Sequence, residues 1–135
     1  SSMKYFIKTW MFYMVAIWLI REWIPAFVVS GGWINILIAG GILAILMLFV
    51  KPIIKILFIP INFLTLGLVS WVVNVIVMYL LTLLAPNVSI VPWIYPGLSW
   101  QGFSIPQATI SYLPTLIIVT FALTFVTQFL ENITN

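Results

Sequence analysis

The feature that most constrains this sequence is its scarcity of charge. Of 135 residues, five are basic and two are acidic, whereas 64% are hydrophobic. Soluble domains carry about 25% charged residues, because a water-facing surface needs them. With only 5% charged residues, this chain cannot cover such a surface. The composition therefore predicts an integral membrane protein.

The composition also excludes several classes of chemistry. The chain has no His and no Cys, which removes imidazole bases, thiol nucleophiles and His/Cys metal sites. Its two carboxylates, Glu22 and Glu131, are expected on opposite sides of the membrane and so cannot act as a pair. We therefore predict that the protein is not an enzyme, with no catalytic residue, metal or cofactor. Seven scattered charges give no basis for nucleic-acid binding.

Four apolar stretches are long enough to cross a bilayer, which requires roughly 20 helical residues. The predicted spans cover residues 5–24, 33–50, 63–84 and 114–130. The first also begins like a signal peptide, but its aromatic residues and the Arg21-Glu22 pair favour a retained span. With four crossings, four of the five basic residues fall on one side, and the positive-inside rule places that side and both termini in the cytoplasm. These residues are Lys4, Lys8, Lys51 and Lys55.

Segments 61 positions apart resemble each other. This offset aligns Trp10 with Trp71 and Pro25 with Pro86, and each Pro is followed by an extended-looking piece and a Gly-aromatic pair, Gly32-Trp33 and Gly102-Phe103. The alternative is a chance match between apolar spans. We interpret the pattern as two tandem hairpins in a single membrane domain, residues 1–135. They cover about 5–50 and 63–130, with an outer loop at 86–113 that contains an insertion at 91–101.

Residues 51–62 form the most distinctive segment, because they are apolar yet contain two lysines and two prolines. Each Pro removes a backbone donor and disfavours helix in the residue before it. We predict that Lys51-Pro52 ends the second span. A short helix then lies in the cytoplasmic interface, with Lys51 and Lys55 at the lipid headgroups. The expected fold is thus an all-α bundle of four spans with one interfacial helix.

This segment also carries a resemblance to a known family. Lys51-Pro52-Ile53-Ile54-Lys55, then Pro60-Ile61-Asn62 and Leu64-Thr65-Leu66-Gly67-Leu68, is similar to the small bacterial membrane proteins called four-transmembrane phage holin superfamily IV (YvlD-like). The resemblance covers about residues 5–130 and implies a four-span protein of the bacterial cytoplasmic membrane. It brings no catalytic residues. Two departures are the 91–101 insertion and Tyr13, which the 61-residue offset aligns with Asn74.

Polar residues at membrane depth are the candidate functional groups, since an unpaired amide or hydroxyl is costly in hydrocarbon. They form one stripe on each of the last two spans, and either line a pore or substrate path or pair between helices as packing contacts. The stripes consist of Ser70, Asn74 and Thr82, and of Thr120, Thr124 and Gln128.

Two further groups of residues are singled out. The small residues Gly40, Gly41 and Ala44 allow close approach of another helix, from the same chain or a second copy. Near the outer interface we expect anchoring residues, because Arg extends its charge to headgroups and Trp favours that zone. They are Arg21, Glu22, Trp93 and Trp100.

Three functions remain open from the sequence. The first is a non-enzymatic, holin-like protein that forms homo-oligomers among membrane lipids and affects permeability or envelope integrity. The second is a small lipid or solute transporter with a cleft at the repeat interface. The third is a structural or regulatory partner in the envelope-stress response.

Overall fold

The computed structural model describes residues 2–60 and 68–134 and is mostly helical. In a bilayer every backbone polar group must be paired within the protein, and long apolar segments meet this demand as helices. The helices, in chain order, are α1 (Ser2–Trp23), α2 (Trp33–Ile45), α3 (Lys51–Leu57), α4 (Leu68–Leu84) and α5 (Tyr112–Thr134). A π-helical turn, Leu46–Val50, joins α2 to α3.

Within residues 2–60 and 68–134, three helical stretches are long and apolar enough to cross a membrane, namely Ser2–Trp23, Trp33–Leu57 and Tyr112–Thr134. Helix α4 is a shorter apolar helix of 17 residues, about 25 Å long. Residues 63–67 of the predicted third span lie outside the described residues. The prediction of a helical membrane protein is thus confirmed.

The second predicted span does not stop at Lys51-Pro52, contrary to the sequence analysis. Helical structure continues through both residues to Leu57. The π-helical turn explains this, because the Lys51 N–H donates to the Leu46 carbonyl five residues earlier. That wider turn displaces the carbonyls that a proline ring would otherwise contact. Pro52 also lies in the first turn of α3, where its missing N–H costs little.

The helices pack in the ring order α1, α2, α4, α5, so that each contacts two neighbours. All four contribute fully buried apolar side chains to one core. The largest include Ile17 and Ile20 from α1, Ile36 and Leu43 from α2, Met78 and Leu81 from α4, and Val119 and Leu123 from α5.

Two short strands connect the segments that follow α1 and α4. Strand β1 (Phe27–Val29) pairs antiparallel with β2 (Val88–Ile90), and Val28 lies opposite Ser89. The ladder is extended on both sides: the Ser30 N–H donates to the Asn87 carbonyl at 2.9 Å, and the Val91 N–H donates to the Ala26 carbonyl at 3.0 Å. We call this the strand end of the bundle, and the opposite end, where α1 begins and α3 and α5 end, the lysine end.

A long β-hairpin projects between β2 and α5, and we call residues 93–110 the arm. Strand β3 (Trp93–Tyr95) pairs with β6 (Ala108–Ile110), and nearer the tip β4 (Leu98–Trp100) pairs with β5 (Phe103–Ile105). The prediction of an all-α protein is wrong in this segment. Each strand has three residues, with Pro96 and Pro106 interrupting the ladder, so the alternation was too short to indicate strands.

Candidate functional site

A polar cavity of about 160 Å³ lies between the helices towards the lysine end. It is large enough to hold several water molecules. Its lining comes from α1, the π-helical turn, α3, α4 and α5, so the whole bundle shapes it. The lining residues are Tyr13, Met47, Lys51, Asn74, Leu123, Thr124, Thr127, Gln128 and Glu131.

Asn74 is the most informative residue of this cavity. Its side chain is only 9% exposed, and its buried Oδ1 atom has no hydrogen-bond partner. A buried amide oxygen without a partner costs on the order of 1–3 kcal/mol.

Charged and phenolic groups complete the lining. Lys51 contributes a cation from the start of α3, and Glu131 contributes an anion from the last turns of α5. Tyr13 adds a half-buried phenol from α1. The cavity therefore contains one group of each charge together with neutral donors and acceptors, which suits water and small polar or zwitterionic groups.

The hydroxyl of Thr127 in the cavity is partly satisfied by its own helix. The Thr127 hydroxyl is 3.0 Å from each of the Leu123 and Thr124 carbonyls. A hydroxyl that donates to its own helix still accepts through its lone pairs. Thr127 thus offers the cavity an acceptor, and Asn74, Lys51 and Gln128 supply its amide and ammonium donors.

The structure brings together half of the six residues predicted for the polar stripes. Asn74, Thr124 and Gln128 share the cavity, whereas the other three lie elsewhere. Thr82 donates to the Tyr79 carbonyl at 2.6 Å, and Thr120 to the Leu116 carbonyl at 2.8 Å. Ser70 lines a small apolar cavity of about 70 Å³ beside Lys55 and Phe58.

Sequence reasoning missed the charged and phenolic residues of the cavity, namely Tyr13, Lys51 and Glu131. Tyr13 had a usable signal, because the 61-residue offset aligns it with Asn74. Lys51 was assigned to the headgroups because the second span was expected to stop there. Glu131 was expected only as a carboxylate on the opposite side of the membrane from Glu22; the packing of α5 against α1 brings it to the cavity.

The small-residue face of α2 packs against α1 of the same chain. A Cβ added at Gly40 would lie 2.6 Å from Met14 Cγ, and one at Gly41 would lie 3.1 Å from the Trp10 ring. The Trp10 indole N–H also donates to the Leu37 carbonyl at 2.8 Å. Ala44 is fully buried. This face is therefore occupied within the chain.

The residues predicted for the outer interface lie towards the strand end. Arg21 and Glu22 are in the last turn of α1, the first half-buried and the second exposed. Trp93 packs partly against the core at the base of the arm, whereas Trp100 is 63% exposed near its tip. Lys55 is exposed on α3.

The chain matches a family model described as "Mycobacterial 4 TMS phage holin, superfamily IV" over residues 4–103. The match includes α1 to α4 and ends at the tip of the arm, before α5. No curated protein and no solved structure matches the chain.

Proposed function

Because the chain belongs to the superfamily IV phage holin family, we propose that it is a holin-like protein of the bacterial cytoplasmic membrane. It self-associates there and changes the permeability of the membrane. Holins are generally non-enzymatic, which agrees with a chain lacking His and Cys. The observation that carries the proposal is the polar cavity around Asn74, on a chain whose helices are otherwise apolar.

We assign the chain four spans in two tandem hairpins, α1–α2 and α4–α5, with both termini in the cytoplasm. The short α4 is then the third of these spans. Lys4, Lys8 and Lys55 lie towards one end of the bundle and Arg21 towards the other, as the positive-inside rule requires.

Burial and hydrogen bonding support a true repeat. Buried Ile17 and Ile20 of α1 correspond, 61 positions on, to buried Met78 and Leu81 of α4. The Ser30-to-Asn87 and Val91-to-Ala26 hydrogen bonds exchange under the same offset. A chance match between apolar sequences has no reason to reproduce these features.

The second helices of the two hairpins, α2 and α5, align with each other at a larger sequence offset. Buried Ile36 and Leu43 of α2 correspond to Leu116 and Leu123 of α5, 80 positions on. The extra residues of the second hairpin then form the arm, a longer insertion than 91–101. Under these offsets Tyr13 corresponds to Asn74 and Lys51 to Glu131, as expected of a cavity at a pseudo-twofold axis between two repeats.

Self-association follows from where the cavity stops. Towards the strand end, the bundle is filled by fully buried apolar side chains such as Ile20, Leu81 and Val119. A single copy in this state therefore has a polar cavity at one end and a sealed core at the other. A path across the membrane then requires several copies around a shared opening, or separation of the hairpins.

The test is a release assay with controlled copy number. The full-length protein is reconstituted into liposomes that contain a self-quenched dye, over a range of protein-to-lipid ratios, and particle mass is measured in nanodiscs from the same preparation. We expect oligomers and a release rate that rises more steeply than linearly with protein density. A strictly monomeric particle that releases neither dye nor ions at any density would overturn the proposal.

The second candidate is a lipid or solute transporter whose cleft is this cavity. It is favoured by the position of the cavity between the hairpins and by the polar side chains that line it, Asn74 among them. Monomeric protein that moves labelled lipid or solute without releasing dye would support the transporter. Normal flux in Asn74→Leu would exclude it.

A further inference from the structure

Two neighbouring cavities follow the contact between α1 and α5 at the lysine end. The larger is an apolar groove of about 370 Å³ on the outside of the bundle, and the other is a polar cavity of about 260 Å³. Lys8 and Phe12 line both, so the two spaces adjoin. The groove is lined by Lys4, Ile7, Lys8, Met11, Phe12, Val15 and Leu130; the polar cavity is lined by Tyr5, Lys8, Thr9, Phe12 and Glu131.

The groove has the form of an acyl-chain site. Ile7, Met11 and Val15 follow one another at four-residue intervals, so they make a single apolar strip along α1. The strip is about 12 Å long at 1.5 Å per residue. All three side chains are exposed at the surface of the bundle, where a membrane helix meets lipid. The cations Lys4 and Lys8 lie at one end of the strip, as a headgroup requires.

The adjoining polar cavity has the chemistry of a headgroup site. Lys8 and the hydroxyls of Thr9 and Tyr5 offer donors to a phosphate. The Lys8 Nζ atom is 5.5 Å from the centre of the Phe12 ring, which places its charge at the junction of the two spaces. Glu131, on the far wall, would repel a phosphate that had no cation beside it.

We propose that this groove binds one phospholipid whose headgroup contains a primary ammonium next to the phosphate, the chemistry of phosphatidylethanolamine. An acyl chain lies along Ile7, Met11 and Val15, and Lys8 binds the phosphate. The ammonium reaches Glu131, because a carboxylate is the complement of a group that is both cationic and a hydrogen-bond donor. This site goes beyond the proposed function and does not depend on permeability.

The experiment measures which lipids stay bound to the full-length protein. Protein from nanodiscs with equal amounts of phosphatidylethanolamine, phosphatidylcholine and phosphatidylglycerol is analysed by native mass spectrometry. We expect phosphatidylethanolamine to be retained about fivefold more than phosphatidylcholine, which has the same charges but no N–H donor. Equal retention of the three lipids, or preferential retention of phosphatidylglycerol, would overturn the proposal.

Three variants divide the site into its parts. Glu131→Gln should abolish the preference for phosphatidylethanolamine over phosphatidylcholine, and Lys8→Gln should lower retention of all three lipids. Met11→Trp should also lower all three, because it fills the groove without changing a charge. Lys55→Gln, which removes another cation predicted to face headgroups but lies outside the groove, is the matched control and should keep the preference for phosphatidylethanolamine over phosphatidylcholine. Equal elution volume and helical circular dichroism establish that each variant is folded; an unchanged lipid preference in folded Glu131→Gln contradicts the assignment.

Discussion

Val28 and Ser89 lie opposite each other in the β1–β2 ladder, and they are also the two residues that the 61-residue offset aligns. Where a residue pairs with its own counterpart, a twofold axis passes between the two. The pairs on either side, Phe27 with Ile90 and Val29 with Val88, then exchange under the same operation. The pairing of the strands is thus what a twofold relation between the hairpins requires.

The main-chain hydrogen bonds at the edges of this ladder are expected to hold the two hairpins together. Ser30→Pro removes the N–H that donates to Asn87, and we expect it to destabilise the fold by about 1–3 kcal/mol. Val91→Pro removes the symmetric donor and should have a similar effect. Ser30→Ala, which keeps the N–H, is the control for thermal unfolding in detergent. Equal unfolding temperatures for Ser30→Pro and Ser30→Ala would show that the bond contributes nothing.

The contact between α1 and α2 depends on the absence of a side chain at position 40. Gly40→Val places atoms where Met14 and Trp10 lie, and we expect a loss of about 2 kcal/mol or more. The control is Gly32→Ser, because a Cβ at Gly32 has nothing within 4 Å and Ser suits the N-cap position. Thermal unfolding of the two variants should differ clearly. A fully stable Gly40→Val variant would contradict the packing of α1 on α2.

Replacing Asn74 with an apolar residue should lower function without lowering stability. Asn74→Leu removes a buried oxygen that has no partner in the protein, so the free energy of unfolding should be unchanged or higher. Dye release or flux should fall sharply, because the cavity loses its buried amide. Thr82→Val is the control, since that hydroxyl bonds its own helix outside the cavity. Undiminished dye release from the Asn74→Leu variant would show that the activity does not depend on the cavity.

The tip of the arm has an apolar and a polar face. Leu98 pairs with Ile105 and Trp100 with Phe103, whereas Ser99 pairs with Ser104 on the opposite face. We expect the apolar face to lie in the lipid interface. Since the chain has no Cys, a spin label at Leu98→Cys should be accessible to oxygen, and one at Ser99→Cys to a water-soluble relaxation agent. Identical accessibility at both positions would place the arm in water.

Because the chain has no native Cys, single introduced cysteines can also report its topology. Gln101→Cys, at the turn of the arm, should react with a membrane-impermeant maleimide in intact cells. Lys55→Cys and Asn132→Cys should react only after the cells are opened, because we assign the lysine end to the cytoplasm. The reverse labelling pattern would show that the protein has the opposite orientation in the membrane. Labelling of all three cysteines from outside would rule out the four-span arrangement.

The sequence predicted the helices well, since the apolar runs are long and the bilayer leaves the backbone few alternatives. The prediction was wrong where the end of a helix depended on the local backbone geometry, which residue types alone indicate poorly. Pro52 normally indicates the end of a helix, but the π-helical turn before it lets the helix continue to Leu57. The strands of the arm were missed because their partners are set by pairing across the hairpin, which three-residue segments reveal poorly.

The candidate site was predicted in part for a similar reason. Helical spacing placed Thr124 and Gln128 on one face of α5 and drew attention to Asn74 on α4, and these three residues share the cavity. Spacing within one helix cannot indicate which faces of different helices meet. The convergence of Lys51, Glu131 and Tyr13 on the same space therefore required the packing of the whole bundle.

The β1–β2 ladder has a mechanical consequence. It joins the two hairpins by main-chain hydrogen bonds at the strand end, whereas towards the lysine end the helices enclose a polar cavity. The ladder is therefore a candidate pivot about which one hairpin rotates against the other. A rotation of about 10° at the joint, over helices about 30 Å long, separates the far tips by about 5 Å. Small changes at the strands would thus be magnified at the mouth of the cavity.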